Sequence, residues 1–142
     1  MAYCDQDDIL EQMDEETLIQ LTDDDDAGIV DAAKVTRAIE RADAEINAHC
    51  QGRYDIPLDP VPDIIRDKST DIAIYHLHSR RGEPPANIVE RYKIAIRFLE
   101  KIATGGIQLG ASTPAVTSTG SPVRVTTDKD DRVFTMTTME GF

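Results

Sequence analysis

Apolar side chains recur at steps of three and four along residues 31–51: Val35, Ile39, Ala42, Ile46 and Cys50. That spacing gathers all five on one face of an α-helix, and no other feature limits the fold as strongly. The opposite face carries Arg37, Glu40, Arg41 and Glu45. One turn apart, Arg37 and Arg41 repel, whereas Arg41 and Glu45 attract. Asp31 reads as the N-cap of this helix and Gly52 as the glycine that ends it.

The same periodicity marks further helices on either side. Residues 63–80 follow Pro62, and their segment Ile72-Ala73-Ile74-Tyr75-His76-Leu77 is apolar on more than one face. Such a helix lies at the centre of a core or under another subunit. Gly82-Glu83-Pro84-Pro85 breaks it. Residues 86–104 align Val89, Tyr92, Ala95, Ile96, Leu99, Ile102 and Ala103 on one face, and Gly105-Gly106 stops that helix. Nearer the start, residues 5–14 form a short helix with Asp5, Asp7 and Asp8 in its first turn and Ile9, Leu10 and Met13 as its stripe. A further turn over residues 15–21 sets Leu18, Ile19 and Leu21 against the body.

Two stretches are not helical. Arg53-Tyr54-Asp55-Ile56-Pro57-Leu58-Asp59-Pro60-Val61-Pro62 is forced into an extended path by three prolines, yet keeps apolar teeth at Ile56, Leu58 and Val61. It reads as a structured linker. From residue 107 the composition turns to Gly, Ser, Thr, Ala and Pro, the mark of a flexible linker. Residues 122–127 and 132–136 are β-formers flanking Asp128-Lys129-Asp130-Asp131, a pattern that suggests a hairpin. Two strands alone are marginal in water, so this hairpin needs a partner surface. The expected fold is therefore mainly α: a bundle of about four helices over residues 1–106, then a linker and arm over residues 107–142.

Charge divides the chain as sharply. The first 33 residues hold twelve acids and no Lys or Arg, densest at Asp23, Asp24, Asp25 and Asp26; the other 109 hold fifteen acids and fifteen bases. The net charge of −12 thus resides in one block. A field of this sign repels phosphate, which argues against direct, sequence-specific nucleic-acid binding. Arg80-Arg81 and the set Arg91, Lys93, Arg97 and Lys101 are the basic concentrations; they read either as the solvated face of a helix or as a contact for the acidic block of a neighbouring copy. With no Trp and only seven aromatic residues, the core is expected to be aliphatic. No apolar run approaches the roughly 18 residues of a membrane span, so no membrane partner is expected. The start is too acidic for a signal peptide, which points to a cytoplasm and to Cys4 and Cys50 as free thiols.

No catalytic constellation emerges. Asp23, Asp25 and Gly28 fall at positions one, three and six of a calcium loop, but Ala27 stands at five and Lys34 at twelve, where a bidentate Glu is required. Cys4, His49, Cys50, His76 and His78 lack the spacings of a zinc site. There is no nucleophile elbow and no phosphate-cradling glycine loop. The expectation is a protein that is not an enzyme and uses no cofactor or metal.

Several motifs in combination resemble the Mu-like phage head–tail joining (connector) family. They are Leu18-Ile19-Gln20-Leu21-Thr22-Asp23 before an acidic loop, Gly52-Arg53-Tyr54 running into Ile56-Pro57-Leu58 and Pro60-Val61-Pro62, Asp71-Ile72-Ala73, Glu90-Arg91-Tyr92 with Leu99, and the closing Val133-Phe134-Thr135 and Gly141-Phe142. The resemblance implies a structural virion protein. It would form a homo-oligomeric ring of about a dozen copies between the portal protein and a tail-terminator or neck protein. Such a ring completes the DNA-filled head and gives the tail a docking surface. It would sit in the virion neck after assembly in the host cytoplasm. On this reading Arg53, Tyr54, Ile56, Pro57 and Leu58 form an intersubunit or portal contact, Phe134 and Phe142 anchor the arm, and Asp23, Asp24, Asp25 and Asp26 face the DNA channel. The rival class is an acidic soluble regulator, either a DNA mimic or an antirepressor-like binder. A mimic spreads its carboxylates over a folded face, whereas these crowd into a terminus and a loop.

Overall fold

The computed structural model describes residues 2–110. Five helices follow one another: α1 (Gln6–Gln12), α2 (Glu15–Thr22), α3 (Ala32–Cys50), α4 (Asp63–Arg81) and α5 (Ala86–Ala103). Among the described residues there is no strand. The expected hairpin, its linker from residue 111, Phe134 and Phe142 lie outside the described residues.

Helix α4 is the centre. It packs on α3 and α5, which also touch each other, while α1 and α2 lie against it from the remaining side. Ile65, Ile72, Ala73, Ile74 and Leu77 are all at most 1% exposed. Of the two explanations for its all-round apolar pattern, the structure selects the core. Each fully buried Ile or Leu contributes roughly 1.5–3 kcal/mol. Helix α3 buries Val35, Ile39, Ala42, Ile46 and Cys50, the five residues of its periodic face. Helix α5 buries Ile88, Ala95, Leu99 and Ile102, with Tyr92 and Ile96 half-buried; Ala103, expected on this face, is exposed.

Local chemistry sets the helix ends. Asp5 and Asp8 form a reciprocal capping box at α1: the Asp8 amide donates to the Asp5 carboxylate at 3.0 Å, and the Asp5 amide to Asp8 at 2.9 Å. Asp31 caps α3, as expected, by accepting the Ala33 amide at 3.0 Å. The turn over residues 15–21 is a full helix, α2. Gly52 does not act as the expected C-cap glycine: it is not in the left-handed region. Instead α3 ends in a tight turn in which the Arg53 and Tyr54 amides both return to the Cys50 carbonyl. Gly105, by contrast, has φ +84°, and the turn after α5 closes through the Gly106 amide on the Lys101 carbonyl at 2.8 Å.

The Pro-rich stretch is fixed by two tyrosines. The Tyr3 hydroxyl accepts the Leu58 amide at 3.0 Å and donates to Asn47 on α3. The Tyr54 hydroxyl accepts the Leu109 amide at 2.9 Å. Leu58 is 0% exposed and Leu109 is also buried, so both segments close over the same core.

Gly105 generates a prediction. A Cβ there would sit 2.7 Å from Arg53 Nη1, and the left-handed backbone itself costs an L-residue about 1–2 kcal/mol. Gly105→Ala should lower stability by about that amount in urea denaturation. Gly52→Ala, at a position with nothing within 4 Å of the new Cβ, should change it little.

Candidate interaction site

Polar side chains converge at two neighbouring places: the loop after α2, and a groove between α3 and α4. The loop is organised around its own first carboxylate. Asp23 accepts the amides of Asp25 (3.2 Å), Ala27 (3.0 Å) and Gly28 (2.7 Å), and Asp26 and Gly28 take positive φ to allow it. Those bonds, that from Gly28 foremost, hold the Asp23 carboxyl below its ordinary range. Buried Thr22 closes the loop's base: its hydroxyl donates to the Leu18 carbonyl at 2.8 Å and accepts the Asp31 amide at 3.2 Å.

Asp24 is the loop's ionic anchor. Arg80 donates to both of its oxygens, at 2.9 and 2.8 Å, and Lys34 lies 2.5 Å from it and 3.1 Å from Asp31. The Arg80 hydrogen bonds, then those of Lys34, hold the Asp24 carboxyl far below the usual range. Arg81 donates to the Asp23 carbonyl. The expectation that Arg80-Arg81 meet the acidic block of a neighbouring copy is therefore corrected: they bind the acidic loop of their own chain. Two of the four loop carboxylates are engaged internally, and Asp25 and Asp26 remain exposed. The calcium-loop spacing resolves likewise, since Lys34, at position twelve, supplies the cation on Asp24 and Asp31. Among the described residues no three His, Cys, Asp or Glu side chains gather as metal ligands do.

Glu45 joins three helices. His76 Nε2 lies 2.6 Å from its Oε1, and the Tyr92 hydroxyl donates to Oε2 at 3.1 Å. A carboxylate only accepts, so His76 carries its proton on Nε2. Tyr92 also stacks on Tyr75, with centroids 3.9 Å apart and planes within 12°. Burial first, then the Glu45 charge, pushes the Tyr92 hydroxyl up to about 12. This arrangement displaces the expected Arg41–Glu45 pair. Glu45 is taken by α4 and α5, and among the described residues neither Arg37 nor Arg41 makes an ion pair. Both line an open groove of about 390 Å³ whose wall includes Ala38, Ala44 and Leu77, with Glu40 on its rim.

The other expected contact residues separate. Tyr54 and Leu58 are 5% and 0% exposed, held inside their own chain by the tyrosine hydrogen bonds, so within this chain they pack over the core. Ile56 is 40% exposed and Pro57 is also outward, while Arg53 is half-buried over Gly105. The Glu45 cluster was missed by sequence reasoning. Its only signal is that His76 and Tyr92 fall in apolar stretches of predicted helices, while Glu45 falls on the polar face of its own.

The comparisons with known proteins fit this helical body. The family profile described as Bacteriophage Mu, Gp36 matches residues 3–127. The chain belongs to the bacteriophage Mu gp36 family. It is similar to the Mu-like prophage FluMu protein gp36 of Haemophilus influenzae, 40% identical over 87 residues. That match covers 61% of this chain and 60% of the relative's length. This gp36-family chain is thus a Mu-like phage protein, and no helix among its described residues is long and apolar enough to cross a membrane.

Two predictions follow from the buried groups. Glu45→Ala leaves His76 and Tyr92 without their acceptor and should destabilise the protein by about 1–3 kcal/mol, read by urea denaturation. Burial raises the Tyr3 hydroxyl and the Cys4 thiol, and it acts most on Tyr92 and on Cys50, whose thiol it raises from 9.0 to about 11. Tyr92 and Cys50 are held protonated in the fold, so their contribution is fully present below pH 9 and is lost as pH rises through 11 and 12. Denaturation midpoints should therefore fall across that window, and Cys50→Ala should flatten its lower part.

Proposed function

We propose that this protein is a structural virion component that assembles as a ring between portal and tail. There it completes the DNA-filled head and offers the tail its docking surface. The observation that carries this reading is an acidic N-terminal block on a small helical body whose α3 and α5 expose bases alongside Glu40, Glu90 and Glu100. Asp7, Glu11, Asp25 and Asp26 are exposed on the N-terminal side, whereas Arg37 and Arg41 stand on α3 and Lys93, Arg97 and Lys101 on α5. Unlike surfaces on one chain favour head-to-tail contacts, and these close into a ring when the rotation permits. Membership of the gp36 family supports a phage setting.

A DNA conduit gains from an acidic wall, because fixed bases would hold the passing phosphates. Asp25 and Asp26 are the loop carboxylates suited to line it, since Asp23 and Asp24 are turned onto their own chain. Ile56 and Pro57 give the portal protein or the neck protein an apolar contact point. The alternative, an acidic regulator that mimics DNA, needs its carboxylates unpaired on a rigid face, and the engagement of Asp23 and Asp24 disfavours it.

Electron microscopy of lysates from a phage lacking this gene tests the proposal. Packaged or leaking heads beside complete, unattached tails are expected. Normal infectious particles would refute the structural role and bring the regulator forward.

A further inference from the structure

Arg37 and Arg41 pose a physical problem that the described residues do not solve. They lie one turn apart on α3, where like charges repel. The neighbour that could relieve them, Glu45, is bound by His76 and Tyr92. Lys34 and Arg80 at the same groove are neutralised by Asp24 and Asp31, so the uncompensated positive charge is that of Arg37 and Arg41, offset in part by Glu40 on the rim. A surplus this small does not suit a polyanion such as nucleic acid, which the net charge of −12 also repels. It suits a short acidic element with two carboxylates.

The chain carries one. On α1, Asp7 and Glu11 are exposed and stand one turn apart, the same spacing as Arg37 and Arg41. Asp5 and Asp8 are engaged in the capping box, but among the described residues Asp7 and Glu11 make no ion pair. Helix α1 turns Ile9 into the core, which leaves the acidic pair facing out. It cannot reach the groove of its own chain. The segment before it is fixed to α3 at Asp43 and Asn47, and Asp43, two positions from Arg41, points in a different direction.

We infer that the groove between α3 and α4 receives α1 of a second copy, with Asp7 and Glu11 of that copy against Arg37 and Arg41. This rests on the ring-forming reading above and names its interface. The small, exposed Ala44 on the groove wall lets a helix approach closely. The contact is heterologous, because each copy offers the acidic helix on one side and the groove on another.

Sedimentation of the full chain, with charge-reversed variants, tests it. The wild-type chain should self-associate at low ionic strength and dissociate at about 1 M salt, where the screening length falls to about 3 Å. R37E/R41E and D7K/E11K should each be monomeric while keeping the helical circular dichroism of the wild type. An equimolar mixture of the two variants, which restores opposite charges across the contact, should associate again. Three outcomes would overturn the interface: a wild-type chain that remains monomeric at low salt, association unaffected by either double variant, or variants whose mixture stays monomeric. Loss in R37E/R41E alone would mean that the groove takes some other segment, which also overturns the pairing with α1. None of these outcomes touches the structural role, which the gene-deletion phenotype decides separately.

Discussion

The structure depends on burying α4 from every side. Through its middle this helix has no solvent face on which to keep polar residues, yet it carries Ser69, Thr70 and Asp71 there in succession, all at most 8% exposed. Each must find a partner inside, because an unpaired buried polar group costs about 1–3 kcal/mol. Thr70 returns its hydroxyl to the Arg66 carbonyl at 2.9 Å. The Ser69 hydroxyl lies 3.2 Å from Cys4 Sγ and 3.3 Å from Asp43 of α3. Asp71 takes Arg91 of α5, which also binds Gln12 at the end of α1. The polar side of α4 therefore dictates where α1, α3 and α5 sit, while its Ile and Leu side chains supply the free energy.

The same demand reaches Glu45. As α4 and α5 close on α3, His76 and Tyr92 arrive beside a half-buried carboxylate, and a carboxylate with two donors on hand does not turn back toward a solvated Arg one turn earlier. Satisfying the interior thus leaves Arg37 and Arg41 without ion-pair partners among the described residues. At the other end of the groove the balance runs the opposite way. Lys34, Arg80 and Arg81 are drawn onto the acidic loop, which holds the densest negative charge of the chain in a defined shape.

Much of this was legible in the sequence. Periods of three and four specified α3 and α5, the multi-sided apolar run marked α4 as either central or covered by another subunit, and Asp31 and Gly105 marked real helix boundaries. What failed was pairing across elements. Arg41 and Glu45 have attractive spacing along one helix, but the competing partners are on two other helices, 31 and 47 residues away. Tyr54 and Leu58 gave the same difficulty. An apolar tooth in a Pro-rich stretch looks identical whether it meets its own core or a partner, and only the hydroxyls of Tyr3 and Tyr54, which close onto Leu58 and Leu109, decide it. In the Asp23 loop, four consecutive carboxylates look equivalent as letters, yet backbone geometry makes Asp23 a loop organiser and Asp24 an ion-pair anchor and leaves Asp25 and Asp26 outward.

For the proposed ring, this division of labour bears on how copies would avoid associating too early. A surface built for head-to-tail association through apolar area would associate at once and in open chains, as unclosed heterologous contacts do. Here the exposed large apolar residues Ile29, Ile56, Ile64 and Ile94 are scattered over the 24–31 loop, the Pro-rich segment, α4 and α5. Scattered single residues of this kind are ordinary surface and drive no association by themselves. What distinguishes one face from another is charge, carried by side chains that the core has left unpaired. Charge selects orientation and speeds encounter more than it adds affinity. A ring built on such contacts would be held weakly pair by pair, and would gain its stability when closure makes every copy both donor and acceptor of the same contact.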